Sequence, residues 1–302
     1  MAKDLIIGCV TDYKYNDIST WVNSIERSGF DGIKVVIGYD LDKDVVDKLV
    51  AKDFTVFGFQ KDSQGNFTYP KSNDFNIVVE RFVHMWFFLS QIEEDIRYVI
   101  ATDVRDVVFQ DNPSLYLDNI DDDIIVGAEN FRYKDEPWNK NNMNLTFGPK
   151  IYDNLKDTPI YCAGVIVGKR NYVQDLFLNI FLLCRGMSSH VQGGGGPDQA
   201  ALNTLLSLMP YKNITKFTTP EDNFICHVGT TLPAILAGSG DVGYMYKMNP
   251  SILNEYKKTM LYSDSVIDND TVYNNSGEKY FIIHQFDRAG DLKDKVLKKY
   301  GD

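Results

Sequence analysis

Apolar residues along this chain fall into short runs and periodic stretches that alternate from the start. Residues 4–10 (DLIIGCV) are continuously apolar up to the turn-forming Thr11-Asp12, the pattern of a buried strand. From Asp17 to Gly29, apolar residues stand at Ile18, Trp21, Val22 and Ile25, with a capping residue in front and a glycine stop behind, which predicts a helix. Residues 33–38 (IKVVIG) predict a second strand, 41–51 a second helix, and 54–59 (FTVFGF) a third strand. Strands alternating with helices point to a parallel sheet with crossover helices. Ligands of such sheets bind beyond the carboxyl ends of the strands, which places Thr11, Asp12 and Tyr13 at the ligand edge.

The same reading continues after a polar stretch at 60–74. Residues 76–91 predict a long apolar helix carrying Arg81, and the strand 97–102 (RYVIAT) runs into Asp103-Val-Arg105-Asp106. Further strands are predicted at 124–128 (IIVGA), 162–168 (CAGVIVG) and 280–284 (YFIIH). Helices are predicted at 171–185 and 197–208, with a glycine loop at 193–196 before the second. No repeat or low-complexity linker interrupts the series, so one α/β domain is expected over 1–302.

Composition narrows the partners. A chain of 302 residues, 44% hydrophobic and 24% charged, can bury a full core without staples. A net charge of −11 argues against nucleic acid or an anionic membrane as the main partner, since both call for basic patches. An anionic small molecule is still compatible, because a divalent cation can screen its phosphates. Cys9, Cys162, Cys184 and Cys226 form no CxxC pair and read as structural thiols. No secretory leader or membrane-length apolar run is read, so a cytoplasmic protein is expected.

Four clusters carry candidate chemistry. Asp103 and Asp106 follow an apolar strand at the ligand edge, as hard oxygen ligands for Mg²⁺ or Mn²⁺ would; a solvated acidic turn reads the same way. His284 ends another apolar strand beside Asp287 and Arg288, as a metal ligand or a core imidazole. Two carboxylates and an imidazole with open positions suit Mn²⁺ whose shell a diphosphate completes. Asp198 and Gln199 open a helix behind the glycines, facing a sugar or simply matching the helix dipole. Gly164, in Cys162-Ala-Gly164, lets a ligand or a neighbouring strand lie close. Arg81 and Arg105 are candidates for phosphate, with an ion pair as the plain alternative. His227 either meets a phosphate or is buried.

Together these clusters resemble the GT-A glycosyltransferases, a Rossmann-like nucleotide-diphospho-sugar transferase fold with a central, mostly parallel sheet flanked by helices. The resemblance is to retaining families such as the glycogenin-like and plant xylosyl- or galactosyltransferase-like enzymes. It implies a nucleotide-binding half at 1–115 and an acceptor- and metal-completing half at 116–302. It also implies transfer from a nucleotide-sugar, UDP-linked, to the hydroxyl of a glycan or other acceptor, with Mn²⁺ or Mg²⁺ as cofactor. In that pattern Asp106 and His284 bind the metal and Asp103 touches metal or ribose, although here the spacing is DxxD rather than DxD. Thr11, Asp12 and Tyr13 would hold base and ribose, Gly164 would lie near the donor sugar, and Asp198 and Gln199 would stand between sugar and acceptor as the catalytic pair. The late histidine points to retention of anomeric configuration. A nucleotidyltransferase is the main alternative, but the segment Gly8-Cys-Val-Thr-Asp-Tyr-Lys14 lacks that class's glycine-rich loop. A non-catalytic carbohydrate-binding protein is a further alternative.

Overall fold

The computed structural model describes residues 2–71, 75–187 and 196–302. Along the chain the first elements are β1 (Lys3–Val10), α1 (Tyr15–Arg27), β2 (Ile33–Gly38), α2 (Lys43–Ala51) and β3 (Thr55–Gly58). A small hairpin of β4 (Gln60–Lys61) and β5 (Phe67–Thr68) leads to α3 (Ile77–Gln91), β6 (Ile96–Thr102), β7 (Val107–Phe109) and α4 (Pro113–Leu117). The middle holds β8 (Ile124–Arg132), α5 (Pro137–Phe147), α6 (Pro149–Leu155), β9 (Pro159–Lys169), α7 (Arg170–Cys184), α8 (Asp198–Leu206), α9 (Tyr211–Ile214) and β10 (Thr215–Thr218). Then come β11 (Ile225–His227), α10 (Leu232–Ala237), α11 (Gly240–Met248), α12 (Leu253–Thr259), the hairpin β12 (Val266–Asp268) and β13 (Thr271–Tyr273), β14 (Ile282–His284) and α13 (Leu292–Tyr300).

Seven strands make the central sheet in the order β10-β8-β9-β6-β1-β2-β3, so both sequence halves share it. Every neighbouring pair is parallel except those of β9, which runs against β6 and β8. The expected mostly parallel α/β sheet is therefore present. Strand alternation sends Ile6 and Val10 of β1 into one core with Trp21 and Ile18 of α1, and Leu5 and Ile7 into another with Phe82 and Leu89 of α3. Burial on both faces is why β1 reads as an unbroken apolar run rather than an alternating one. No helix among the described residues is long and apolar enough to cross a membrane.

Element types match the sequence reading, and boundaries shift by a few residues. Helix α1 starts at Tyr15 rather than Asp17, and Asp17 caps it from inside the first turn, its carboxylate accepting the Lys14 amide at 2.8 Å. The segments 129–161 and 209–279, for which no elements were predicted, hold α5, α6, α9–α12 and β10–β13, of which β11 belongs to a second sheet. That sheet has the order β11-β14-β7, with β14 parallel to β11 and antiparallel to β7. Its strands are three residues long, too short for any periodicity to appear. It packs over a separate apolar cluster that includes Val108, Cys226, Ile283 and Phe286, closed by Leu292 and Val296 of α13.

Helix α1 is tied to the ligand edge of the first sheet by a buried hydrogen bond from Trp21 Nε1 to Thr102 Oγ1, 2.9 Å long, immediately before Asp103. Trp21→Phe keeps most of the apolar volume but leaves the buried Thr102 hydroxyl without that donor. A loss of about 1–3 kcal/mol in urea unfolding is expected, with the far-ultraviolet spectrum unchanged. An unaltered midpoint would show that this bond does not hold the strand end.

Candidate active site

A cavity of about 580 Å³ opens at the carboxyl edge of the parallel strands. Its wall takes Thr11 and Tyr13 after β1, Asp103, Arg105 and Asp106 after β6, and Arg81 from α3. It also takes Gly164 from β9, Asp198 and Gln199 from the head of α8, and His284 from β14. The reversed direction of β9 is what brings its early residues, Cys162 to Gly164, to the edge where β6 ends. There the Asp103 amide donates to the Gly164 carbonyl at 2.8 Å.

Asp103, Asp106 and His284 converge although the histidine lies far along the chain from the acids. The second sheet does this, pairing His284 with Val107 on one side and with His227 on the other. His284 Nε2 lies 3.6 Å from Asp103 Oδ2 and 3.7 Å from Asp106 Oδ2. One ligand atom from each residue falls within 4.8 Å of the other two, so the three fit a shared divalent cation. Two hard oxygens and one imidazole suit Mn²⁺ or Mg²⁺. Gly164 makes room for the ring, since a Cβ there would come 2.3 Å from His284 Cε1.

Charge at this edge is arranged around Arg81. Its guanidinium bonds Asp103 through Nη1 and Asp198 through Nη2, the latter at 2.9 Å. Burial alone would raise the Asp103 carboxyl, but Arg81 and His284 hold it well below the usual carboxylate range. Burial raises Asp106 against the pull of His284, and it raises Asp198 against that of Arg81. Burial opposes protonation of His284, yet Cys162, Asp106 and Asp103 together lift its pKa well above the ordinary value.

Some residues stand differently from expectation. Arg81, expected at a phosphate, is engaged by two carboxylates. Arg105 is largely exposed and reaches only to 4.0 Å from Asp287. Arg288 instead lines the cavity with no carboxylate within 4 Å among the described residues. Asp12, expected with Thr11 and Tyr13 at a nucleotide, lies outside the cavity wall, in left-handed backbone at φ 56° and paired with Lys71. His227, expected at a phosphate, lies behind His284 with both ring nitrogens engaged. Gly193–Gly195 of the expected glycine loop lie outside the described residues. Gly196 lines the cavity, and its carbonyl accepts from Asn142 at 3.0 Å.

The sequence reading passed over Glu129 and singled out no role for Gln285. Gln285 follows His284 in left-handed backbone at φ 62°, and its amide donates to the Asp106 carbonyl at 2.7 Å. Its side-chain Oε1 is buried without a partner where the residue meets the cavity, a group that a ligand can satisfy. Glu129, in the second half of β8, accepts a 3.4 Å bond from Gln199 Nε2. Gln199 is otherwise fixed, donating to Asn139 Oδ1 at 2.7 Å and accepting from the Ala163 amide at 3.2 Å. The one signal available in sequence was an acid ending the apolar run 124–128, the same arrangement that flagged Asp103.

Burial, reinforced by Glu136, pushes the Glu129 carboxyl up to about 7 from 4.5. Its contribution to stability is therefore whole below the unfolded value and is lost as pH rises through the folded one. Glu129→Gln removes that dependence. Urea unfolding at pH 5 and pH 8 is expected to show the variant gaining about 2–3 kcal/mol on the parent across the interval. A constant gap between the two proteins would mean that Glu129 titrates as it does in water.

No family model matches the chain, and no curated protein matches it in sequence. Its fold is similar to that of a solved structure, the WbbM bifunctional glycosyltransferase in its apo form. The TM-score is 0.53 over 99% of this chain, at 12% sequence identity, and the match spans 49% of that protein's length. The likeness is one of fold: the mixed α/β architecture described above, with its mostly parallel seven-stranded sheet, is shared with a glycosyltransferase.

Proposed function

We propose that the chain is a glycosyltransferase that moves a sugar from a UDP-linked donor to the hydroxyl of a glycan or other acceptor. It would use Mn²⁺ or Mg²⁺ held by Asp103, Asp106 and His284. The observation that carries the reading is the meeting of these three side chains in a cavity at the ligand edge of a fold shared with a glycosyltransferase. When bound, the cation supplies positive charge to the donor diphosphate.

The protein's own groups divide the remaining work. Thr11 and Tyr13 flank the place where base and ribose would lie. Arg288 would donate to phosphate oxygens, a contact that strengthens as charge develops on the leaving group, while the unpartnered Oε1 of Gln285 would accept from a ligand hydroxyl. Asp198, oriented by Arg81, and Gln199, held by the Ala163 amide and Asn139, would bind hydroxyls of the donor sugar. The bond from the anomeric carbon to the diphosphate oxygen breaks, and its electron pair stays on that oxygen. The acceptor oxygen bonds the carbon and gives up its proton to the departing diphosphate oxygen, which holds the released electron pair.

Retention of configuration is the preferred outcome, on the resemblance carried by the late histidine. Glu129 favours a second reading, in which its carboxylate takes the acceptor proton and the product is inverted. Proton NMR of the newly formed anomeric centre separates the two.

A screen of UDP- and GDP-sugars is expected to show nucleotide release that EDTA abolishes and Mn²⁺ restores. No metal-dependent release from any donor would overturn the proposal. Asp106→Ala is expected to lose donor turnover while remaining folded by circular dichroism, and wild-type rates would remove the acid from the mechanism. Arg288→Ala is expected to raise the donor KM by about 10- to 100-fold, as loss of a charge-assisted hydrogen bond would. An unchanged KM would assign the phosphate contact elsewhere.

A further inference from the structure

His227 is buried, has no face on the cavity and belongs to none of the ligand-contacting groups above, yet its two ring nitrogens occupy specific positions. Nε2 stands 3.2 Å from the carbonyl oxygen of Gly127, and Nδ1 stands 3.0 Å from Nδ1 of His284. The two rings meet edge to face at 86°. Space for the pair comes from glycines on adjacent strands of the large sheet. A Cβ at Gly127 would come 2.6 Å from His227 Nε2, just as one at Gly164 would collide with His284.

These contacts determine where the protons sit. A carbonyl oxygen only accepts, so His227 Nε2 carries a hydrogen and donates it to Gly127. Two facing Nδ1 atoms at hydrogen-bond distance share one hydrogen. Placing it on His227 as well would make that ring a cation with no anion beside it in the interior, which is costly. The hydrogen therefore belongs to His284, whose Nδ1 donates to the lone pair of His227. Cys162 Sγ, 3.5 Å from the same Nδ1, is a second and weaker neighbour. The two flanking carboxylates keep a hydrogen on His284 Nε2 while no metal is bound, and a cation that displaces it meets the Nε2 lone pair between Asp103 and Asp106.

We propose that His227 is a positioning residue that fixes the ring orientation and tautomer of His284, so that Nε2 is offered to a divalent cation. The role rests on the metal reading above. The relay runs from the Gly127 carbonyl through His227 to His284, and an outer partner of this kind raises the basicity of a ligand and holds its plane. Nothing is transferred along it; it acts by setting which nitrogen is free.

The test uses two variants and two readouts. In His227→Asn the side-chain oxygen takes over the acceptor position of Nδ1, whereas in His227→Leu no acceptor remains. Mn²⁺ binding followed by electron paramagnetic resonance is expected to weaken about 10- to 100-fold in the leucine variant and to stay within a few-fold of wild type in the asparagine variant. Leucine at wild-type affinity, or equal losses in two folded variants, overturns the positioning role. Separately, ¹⁵N-histidine NMR of the metal-free wild-type protein is expected to show His227 as the Nε2–H tautomer and His284 bearing a hydrogen on Nδ1. His227 observed as the Nδ1–H tautomer overturns the relay by itself. A wild-type protein that takes up no Mn²⁺ while showing the expected tautomers overturns the metal reading, and with it the purpose assigned to His227.

Discussion

A guanidinium buried beneath the ligand edge is the constraint around which the rest of this site is arranged. Arg81 has 13% side-chain exposure and bonds two acids, Asp103 and Asp198, that arrive on different elements. An unpaired charge at that depth would cost several kcal/mol, so removing either partner penalises the fold strongly. Helix α3, the end of β6 and the head of α8 are thereby fastened to one point. The guanidinium also spreads its charge over both carboxylates, so neither is left as a free anion in the cavity. That is why Asp198, which in sequence stands in an acidic first helical turn, acts in the folded chain as one arm of a clamp.

The second sheet solves a different problem. The side chains of Asp103, Asp106 and His284, distant in sequence, need a connection that fixes separation and height together. A register of three short strands does both, because backbone pairing leaves His284 one step from His227 and one step from Val107. The strained backbone at Gln285 follows directly: the chain turns sharply after the ligand and hands its amide to the Asp106 carbonyl. Strain of this kind persists where surrounding contacts over-determine it.

Much of this was legible from residue patterns, and the exceptions have physical causes. The strands of the large sheet are long and buried on both faces, so β1, β2, β6, β8 and β9 announce themselves as apolar runs. Asp103, Asp106 and His284 were readable because each ends such a run. Of the second sheet only the run ending in His284 was readable, since three-residue strands carry no period, and nothing local says that 225–227 lies beside 282–284. Arg81 was read as a phosphate candidate or half of an ion pair, because sequence shows a cation without showing its anions. Arg288 was noted only as a neighbour of His284, because sequence does not show that it faces the cavity. Glu129 escaped because the eye stopped at Ala128, where the apolar run ends, while the strand continues to Arg132.

The reversed strand β9 shapes what can vary in this architecture. Because β8 and β9 are antiparallel neighbours, the chain leaving β8 and returning to β9 does so on the same edge, without a crossover beneath the sheet. Residues 133–158, with α5 and α6, are accordingly an excursion over the cavity mouth, and Glu136, Trp138 and Asn139 reach the wall from it. Lengthening or replacing that excursion would remodel the shape of the cavity mouth while leaving every strand pairing in place. Diversification in descendants of this chain would thus be cheapest there, decoupled from the inherited frame that joins Asp103, Asp106 and His284.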